Sequence, residues 1–66
     1  MKYTLKQWRV LRDMTQKDLA EYLGVTESAV SQWENGTSAP RLKHLQAIAK
    51  IFGIEIGDII LPEPLT

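Results

Sequence analysis

The apolar residues of the central segment, residues 16–35, repeat at the spacing of two short amphipathic helices. The first helix is predicted at 16–23, with an apolar face made of Leu19, Ala20 and Leu23. Gly24 follows directly, and glycine readily adopts the left-handed conformation in which helices often end. The second helix is predicted at 27–34, with Thr26 as its N-cap and with Val30 and Trp33 on its buried face. The pattern predicts a helix-turn-helix, whose second helix is of the kind that enters the major groove of DNA.

The flanking segments also follow helical spacing. A helix at about 5–13 buries Leu5 and Trp8, with Leu11 or Arg12 continuing that face. A fourth helix at about 41–52 has an apolar stripe made of Leu42, Leu45, Ile48, Ala49 and Phe52. After Gly53, the apolar segment 54–61 predicts a short fifth helix near 57–60, followed by a polar tail with prolines. The chain is therefore predicted to be one all-α domain, residues 1–66, with five helices.

Several short motifs in this arrangement carry a resemblance to a known family. They are Thr15-Gln16, Leu19-Ala20, Leu23-Gly24-Val25, Val30-Ser31, Trp33-Glu34-Asn35-Gly36 and Pro40. Together, over about residues 5–60, they resemble the DNA-binding domain of the Cro and phage-repressor family, also called XRE-like. The resemblance implies a lambda-repressor-like fold. It also implies sequence-specific binding to double-stranded DNA, most often by a dimeric repressor that occupies a palindromic operator.

The exposed side of the second helix of the motif supplies the candidate base contacts. They are Thr26, Glu27, Ser28, Ser31 and Gln32. Gln32 is able to bond an adenine edge at two positions, and a glutamate accepts a hydrogen bond from the amino group of cytosine. Glu27 has an equally weighted alternative, because an acid in the first turn of a helix also interacts favourably with the helix dipole.

Candidate phosphate contacts lie on both sides of that helix. They are Gln16, Lys17, Asn35, Thr37, Ser38 and Arg41. Gln16 begins the first helix of the motif, where free backbone N–H groups favour an anion, and in the family the equivalent glutamine binds a backbone phosphate. The alternative for Gln16 is a solvated surface side chain, and for Arg41 and Lys43 it is a solvated helix start.

Two residues far apart in the sequence, Arg9 and Glu34, resemble a structural ion pair of the family. The resemblance implies that this pair ties the first helix to the end of the recognition helix, and the alternative is that Arg9 grips a phosphate. Trp8 and Trp33 occupy buried helical phases, so they are predicted to be core residues and not platforms for unpaired bases.

Composition and charge narrow the class of protein further. The chain has no cysteine and a single histidine, His44, so a metal site is not expected, and no cofactor is predicted. No nucleophile is placed beside a base and an orienting group, so we do not expect an enzyme. The net charge is zero, but residues 1–50 carry a net +3 and residues 51–66, including Glu63, a net −3. With neither a long apolar run nor a secretory core, a cytoplasmic protein is expected. The family resemblance implies a bacterial or phage origin.

The apolar C-terminal segment, 54–61, is predicted to need a partner. Ile54 and Ile59 are able to close the core of the domain, whereas Ile56, Ile60 and Leu61 are expected to form a homodimer contact. The alternative is that all five pack within one monomer. A second hypothesis for the function is an antitoxin-like or adaptor module, which holds a protein partner at this end and binds DNA weakly or not at all.

Overall fold

The computed structural model describes residues 1–62, and the last four residues of the tail, 63–66, lie outside the described part. The elements follow in the order β1 (Tyr3–Thr4), α1 (Leu5–Leu11), α2 (Gln16–Leu23), α3 (Glu27–Asn35), α4 (Leu42–Phe52), a 3-10 turn (Ile56–Asp58) and β2 (Ile59–Ile60). None of the helices within residues 1–62 is long and apolar enough to cross a membrane.

Threonine side chains begin the first three helices. Thr4, Thr15 and Thr26 each accept a hydrogen bond from the backbone N–H three residues later, at 3.0–3.1 Å. Such caps satisfy one of the N–H groups that lack a partner inside the helix. At the other end, Gly24 has φ +69°, which confirms the left-handed turn expected between α2 and α3. α1 ends two residues earlier than expected, and Asp13 lies beyond it with φ +59°.

The predicted fifth helix is wrong. Residues 56–58 form a single 3-10 turn, and residues 59–60 form a strand that pairs in parallel with β1 in the register Tyr3 to Ile59 and Thr4 to Ile60. The segment contains Gly57, which weakens a helix, and β-branched isoleucines, which favour a strand. The indole Nε1 of Trp8 also donates to the backbone carbonyl of Asp58 at 2.8 Å, which fixes the turn against α1.

The core lies where α1, α2, α3 and α4 converge on the small sheet. Its buried apolar residues are Leu5, Trp8, Leu19, Ala20, Val30, Trp33, Ile48, Phe52 and Ile59. The apolar stripe predicted for α4 is wrong at Leu42, which is 63% exposed at the first position of the helix, between the exposed Arg41 and Lys43. Leu11 is exposed as well. Arg12 is also exposed, but its guanidinium lies 5.4 Å from the centre of the Trp8 ring and donates to the carbonyl of Phe52.

Candidate nucleic-acid interface

The turn between α2 and α3 sets the orientation of α3, which is the second helix of the helix-turn-helix. Ala20 is buried near this turn, and its small side chain lets the two helices approach closely. The N–H of Val25 donates to the carbonyl of Ala20 at 3.0 Å, which fixes the turn after Gly24. Val30 and Trp33 are buried on the inner side of α3, so the opposite side of this helix faces away from the core.

That outer side carries the residues predicted to contact bases. Thr26, Glu27, Ser28 and Gln32 are exposed, and Ser31 is half-buried. The amide Nε2 of Gln32 donates to the hydroxyl of Ser28 at 3.3 Å, one helical turn away. This pairing was missed in the sequence, although the spacing of four residues on a helix would have allowed it. Thr26 has a local role too, because its hydroxyl oxygen caps the helix.

The two candidate phosphate contacts at the start of α2, Gln16 and Lys17, differ in how their side chains are held. Lys17 is exposed, whereas Gln16 is half-buried. The amide Nε2 of Gln16 donates to Oε1 of Glu34 at 3.0 Å, so its side chain is fixed and not freely solvated. Asp18 next to them closes the cap of α2, since its carboxylate accepts from the N–H of Thr15 at 2.9 Å.

The loop after α3 holds the remaining candidates. The side-chain oxygen of Asn35 accepts both the N–H and the hydroxyl of Thr37, at 3.1 and 2.6 Å. The hydroxyl proton of Thr37 is therefore already used inside the loop, as is the side-chain oxygen of Asn35. Ser38 and Arg41 are exposed, and Arg41 occupies the N-cap position of α4 without a capping hydrogen bond from its side chain.

Arg9 and Glu34 form a two-point ion pair beneath this surface. Arg9 Nε donates to Glu34 Oε2 at 2.7 Å, and Nη2 donates to Oε1 at 3.1 Å. The two side chains are only 10% and 5% exposed. The third guanidinium nitrogen of Arg9, Nη1, donates to the carbonyl of Met14 at 2.8 Å. Arg9 therefore joins α1, the turn before α2 and the end of α3.

An open depression of about 300 Å³ separates the starts of α2 and α3. Its lining includes Thr15 and Gln16 at the start of α2 and Glu27 at the start of α3. Glu27 thus lies on the same depression as a candidate phosphate contact. This position is compatible with either of its two interpretations, because it is both the first turn of α3 and the edge of the reading face.

His44 and the two tryptophans pack within the described part of the fold. Within residues 1–62, no three His, Cys, Asp or Glu side chains come together as a group able to hold a metal ion. His44 packs against Trp33, with ring centres 5.1 Å apart, and its Nδ1 is buried without a hydrogen-bond partner in the described part. Both tryptophans are buried and present no open ring face for an unpaired base.

The predicted dimerisation residues are divided between the core and the surface. Leu61 is half-buried and packs against the core, and Ile56 is half-buried as well. Ile60 is 45% exposed, while its neighbour Ile59 is 9% exposed and belongs to the core. Leu61 also lines a narrow cleft with Pro40 and Gly36, which brings the residue directly after β2 next to the loop after α3.

Comparison with known proteins agrees with this geometry. The family described as helix-turn-helix matches residues 5–59, and the chain belongs to this family. The chain is 44% identical over 63 residues to an uncharacterized HTH-type transcriptional regulator of Methanocaldococcus jannaschii, covering 96% of both chains. It is also 38% identical over 61 residues to the HTH-type transcriptional activator BcrR of Enterococcus faecalis, covering 92% of this chain and 30% of that protein.

A phage protein is among the relatives. The chain is 30% identical over 56 residues to the cryptic phage CTXphi transcriptional repressor RstR of Vibrio cholerae, covering 85% of this chain and 50% of the repressor. The resemblance to the Cro and phage-repressor family is thereby confirmed. The protein is a transcriptional regulator with a DNA-binding helix-turn-helix.

Proposed function

We propose that this protein represses transcription by occupying a palindromic operator as a homodimer, with α3 of each copy in the major groove. One observation carries the proposal: α3 is buried on one side by Val30 and Trp33 and presents a polar face on the other. A helix with this division, held at a glycine corner by a preceding helix, is the reading element of helix-turn-helix proteins. Bound at a promoter, such a dimer excludes RNA polymerase by occupying the site.

Sequence is read in this proposal by Ser28 and Gln32. The hydrogen bond between them orients the Gln32 amide before DNA arrives, and Gln32 then bonds the N6 and N7 edge of an adenine. Glu27 either accepts from a cytosine amino group or serves only the helix dipole. Thr26 is exposed and Ser31 is half-buried, and in the proposal they contact bases next to those read by Gln32.

Phosphates are bound on both flanks of α3 in the proposal. Gln16 and Lys17 act at the start of α2, where backbone N–H groups and the helix dipole also favour an anion. On the other flank the amide nitrogen of Asn35, the hydroxyl of Ser38 and the guanidinium of Arg41 act as donors. Thr37 contributes by holding Asn35 in place, since its hydroxyl already donates within the loop.

The proposed dimer uses the exposed part of the C-terminal segment. Ile60 is the most exposed isoleucine of that segment, and Ile56 and Leu61 are half-buried. A symmetric contact through this surface would set two copies of α3 on one face of DNA, with half-sites about 34 Å apart. Sedimentation at micromolar concentration with and without DNA tests this, and a strict monomer under both conditions contradicts the dimer.

The decisive experiment is selection of a randomised duplex library by the purified protein at about physiological salt. We expect enrichment of an inverted repeat whose centres lie about ten base pairs apart. The Gln32→Ala variant should lose preference at one base pair of each half-site, and Gln46→Ala on the exposed side of α4 is the matched control. Weak, salt-sensitive binding without enrichment contradicts the proposal and favours the adaptor hypothesis.

A further inference from the structure

The Glu34 carboxylate receives three hydrogen bonds from two other elements. Two come from Arg9 in α1, and the third comes from the amide of Gln16 at the start of α2, at 3.0 Å to Oε1. Arg9 and Glu34 are buried, whereas Gln16 is half-buried and lines the open depression between the starts of α2 and α3. Gln16 is therefore the member of this network that reaches the surface.

The amide of Gln16 has a second N–H on the same nitrogen. A glutamine side chain has two donors on Nε2, and the bond to Glu34 uses one of them. Because the amide group is planar, fixing the first N–H also fixes the direction of the second. Glutamine is among the side chains that lose the most rotamer freedom when they are immobilised, so a side chain held in advance loses less on binding.

The charge of the network is also suited to a nearby phosphate. A bare carboxylate beneath the DNA backbone would repel it, but the paired guanidinium of Arg9 neutralises Glu34. Hydrogen bonds to an ionised acceptor are about twice as strong as those between neutral groups, so Glu34 is able to hold the Gln16 amide firmly. The ion pair supplies strong orientation without adding a net negative charge.

We infer that Glu34 is a positioning residue for DNA binding, which fixes the amide of Gln16 so that its second N–H donates to a backbone phosphate. The inference rests on the proposed function and adds to it a role for the ion pair beyond joining helices. It predicts that Glu34 affects DNA affinity only through Gln16. The size of this effect should be the same for every DNA sequence, since phosphates carry no sequence information.

A double-mutant cycle on DNA affinity tests this dependence. Gln16→Met removes the amide at similar length, and we expect it to weaken binding by about tenfold, which corresponds to about 1.4 kcal/mol. Glu34→Gln should weaken binding in the native background but have little further effect when Gln16→Met is already present. The affinities are compared at a temperature at which circular dichroism shows every variant folded.

The two ways of failing are distinguishable. If the native protein binds DNA but Glu34→Gln weakens binding equally in both backgrounds, Glu34 acts through the fold and the inference is overturned. The same holds if Gln16→Met leaves affinity unchanged. If the native protein binds no duplex at all, the proposed function fails, and the positioning role fails with it.

A measurement on the native protein keeps the test independent of variant stability. Nitrogen-15 relaxation of the Gln16 side-chain amide without DNA should give an order parameter near the rigid backbone value of about 0.85. Gln46, which is exposed on α4, is the internal reference and should be far more mobile. A Gln16 amide as mobile as that of Gln46 would show that Glu34 does not hold it.

Discussion

Single residues determine where the helices of the reading unit begin and how the interface is supported. Thr15 and Thr26 cap α2 and α3, and Asp18 returns a hydrogen bond to the N–H of Thr15. These contacts span three residues and are written in the local sequence, so they were predictable. By contrast, the bond from Gln16 to Glu34 joins residues 18 positions apart, and no local pattern announces it.

The cap of α2 makes stability depend on pH. The backbone N–H of Thr15, with smaller effects from its side chain and from Lys17, lowers the pKa of Asp18 below its ordinary value of 3.8. A lowered pKa in the folded state means that this stabilisation is present above the ordinary value and is lost as the pH falls through the lowered one. At neutral pH we expect the native protein to unfold at a higher temperature than the Asp18→Asn variant. This difference in unfolding temperature should shrink as the pH falls through the lowered pKa of Asp18. Glu21→Gln, an exposed change on the same helix, is the control, and a gap that does not narrow as the pH falls below 3.8 would contradict the assignment.

The ion pair beneath the interface should be important for stability as well. Because Arg9 and Glu34 are almost fully buried, removing one partner leaves an uncompensated charge. Glu34→Ala is therefore expected to lower the free energy of unfolding by about 3–5 kcal/mol, measured by urea denaturation. Replacing both residues together, as Arg9→Met with Glu34→Leu, should be much less damaging than the sum of the single changes. Additive losses would mean that the two side chains are not coupled.

At the scale of elements, local signals were sufficient for α2 and α3 and insufficient for the C-terminal segment. The starts of both helices and the end of α2 agree with the prediction, because a threonine or a glycine marks each of them. The prediction of a helix after Gly53 was wrong because the conformation of this segment depends on β1, more than fifty residues away. The prediction for Leu42 was wrong as well, since helical spacing gives the face of a helix but not how deeply each residue on that face is buried.

Adjacent isoleucines in β2 provide a matched test of this strand. Side chains alternate along a strand, which places Ile59 in the core and Ile60 outside. Ile59→Ala should lower the free energy of unfolding by about 2–5 kcal/mol, and Ile60→Ala should change it by less than about 0.5 kcal/mol in the monomer. Urea denaturation at low protein concentration makes this comparison. Equal losses of unfolding free energy at the two positions would contradict the alternation expected of a strand and favour the helix predicted from the sequence.

For the whole molecule, size and charge distribution limit how it reads DNA. The longest extent of the protein is 31 Å, slightly less than the approximately 34 Å of one DNA turn. In the proposed complex one copy would therefore cover one half-site, and a palindrome would need two copies. All eight lysines and arginines lie in residues 1–50, so the protein has positive charge to offer despite its zero net charge.

The positions of the basic side chains predict which of them contribute to the salt dependence of DNA affinity. Arg41 lies at the start of α4 beside the loop after α3, and Lys50 lies near the other end of the same helix. Arg41→Ala should weaken binding by a similar factor on all sequences and reduce the slope of log affinity against log salt by about 0.9. Lys50→Ala is expected to leave the slope unchanged. Fluorescence anisotropy between 50 and 200 mM salt measures both, and an unaltered slope for Arg41→Ala would remove it from the interface.

The parallel pairing of Tyr3–Thr4 with Ile59–Ile60 has a consequence for how the chain folds as it is made. The helix-turn-helix is complete in sequence once residue 35 has been synthesised, but β1 then still lacks its partner. Contacts between such distant positions form late, because the intervening chain must first be ordered. A nascent chain stalled before residue 59 should therefore contain the reading helices without the strand that closes the core around Trp8. Tyr3 and Thr4 would therefore leave the ribosome before the reading helices but reach their final place after them.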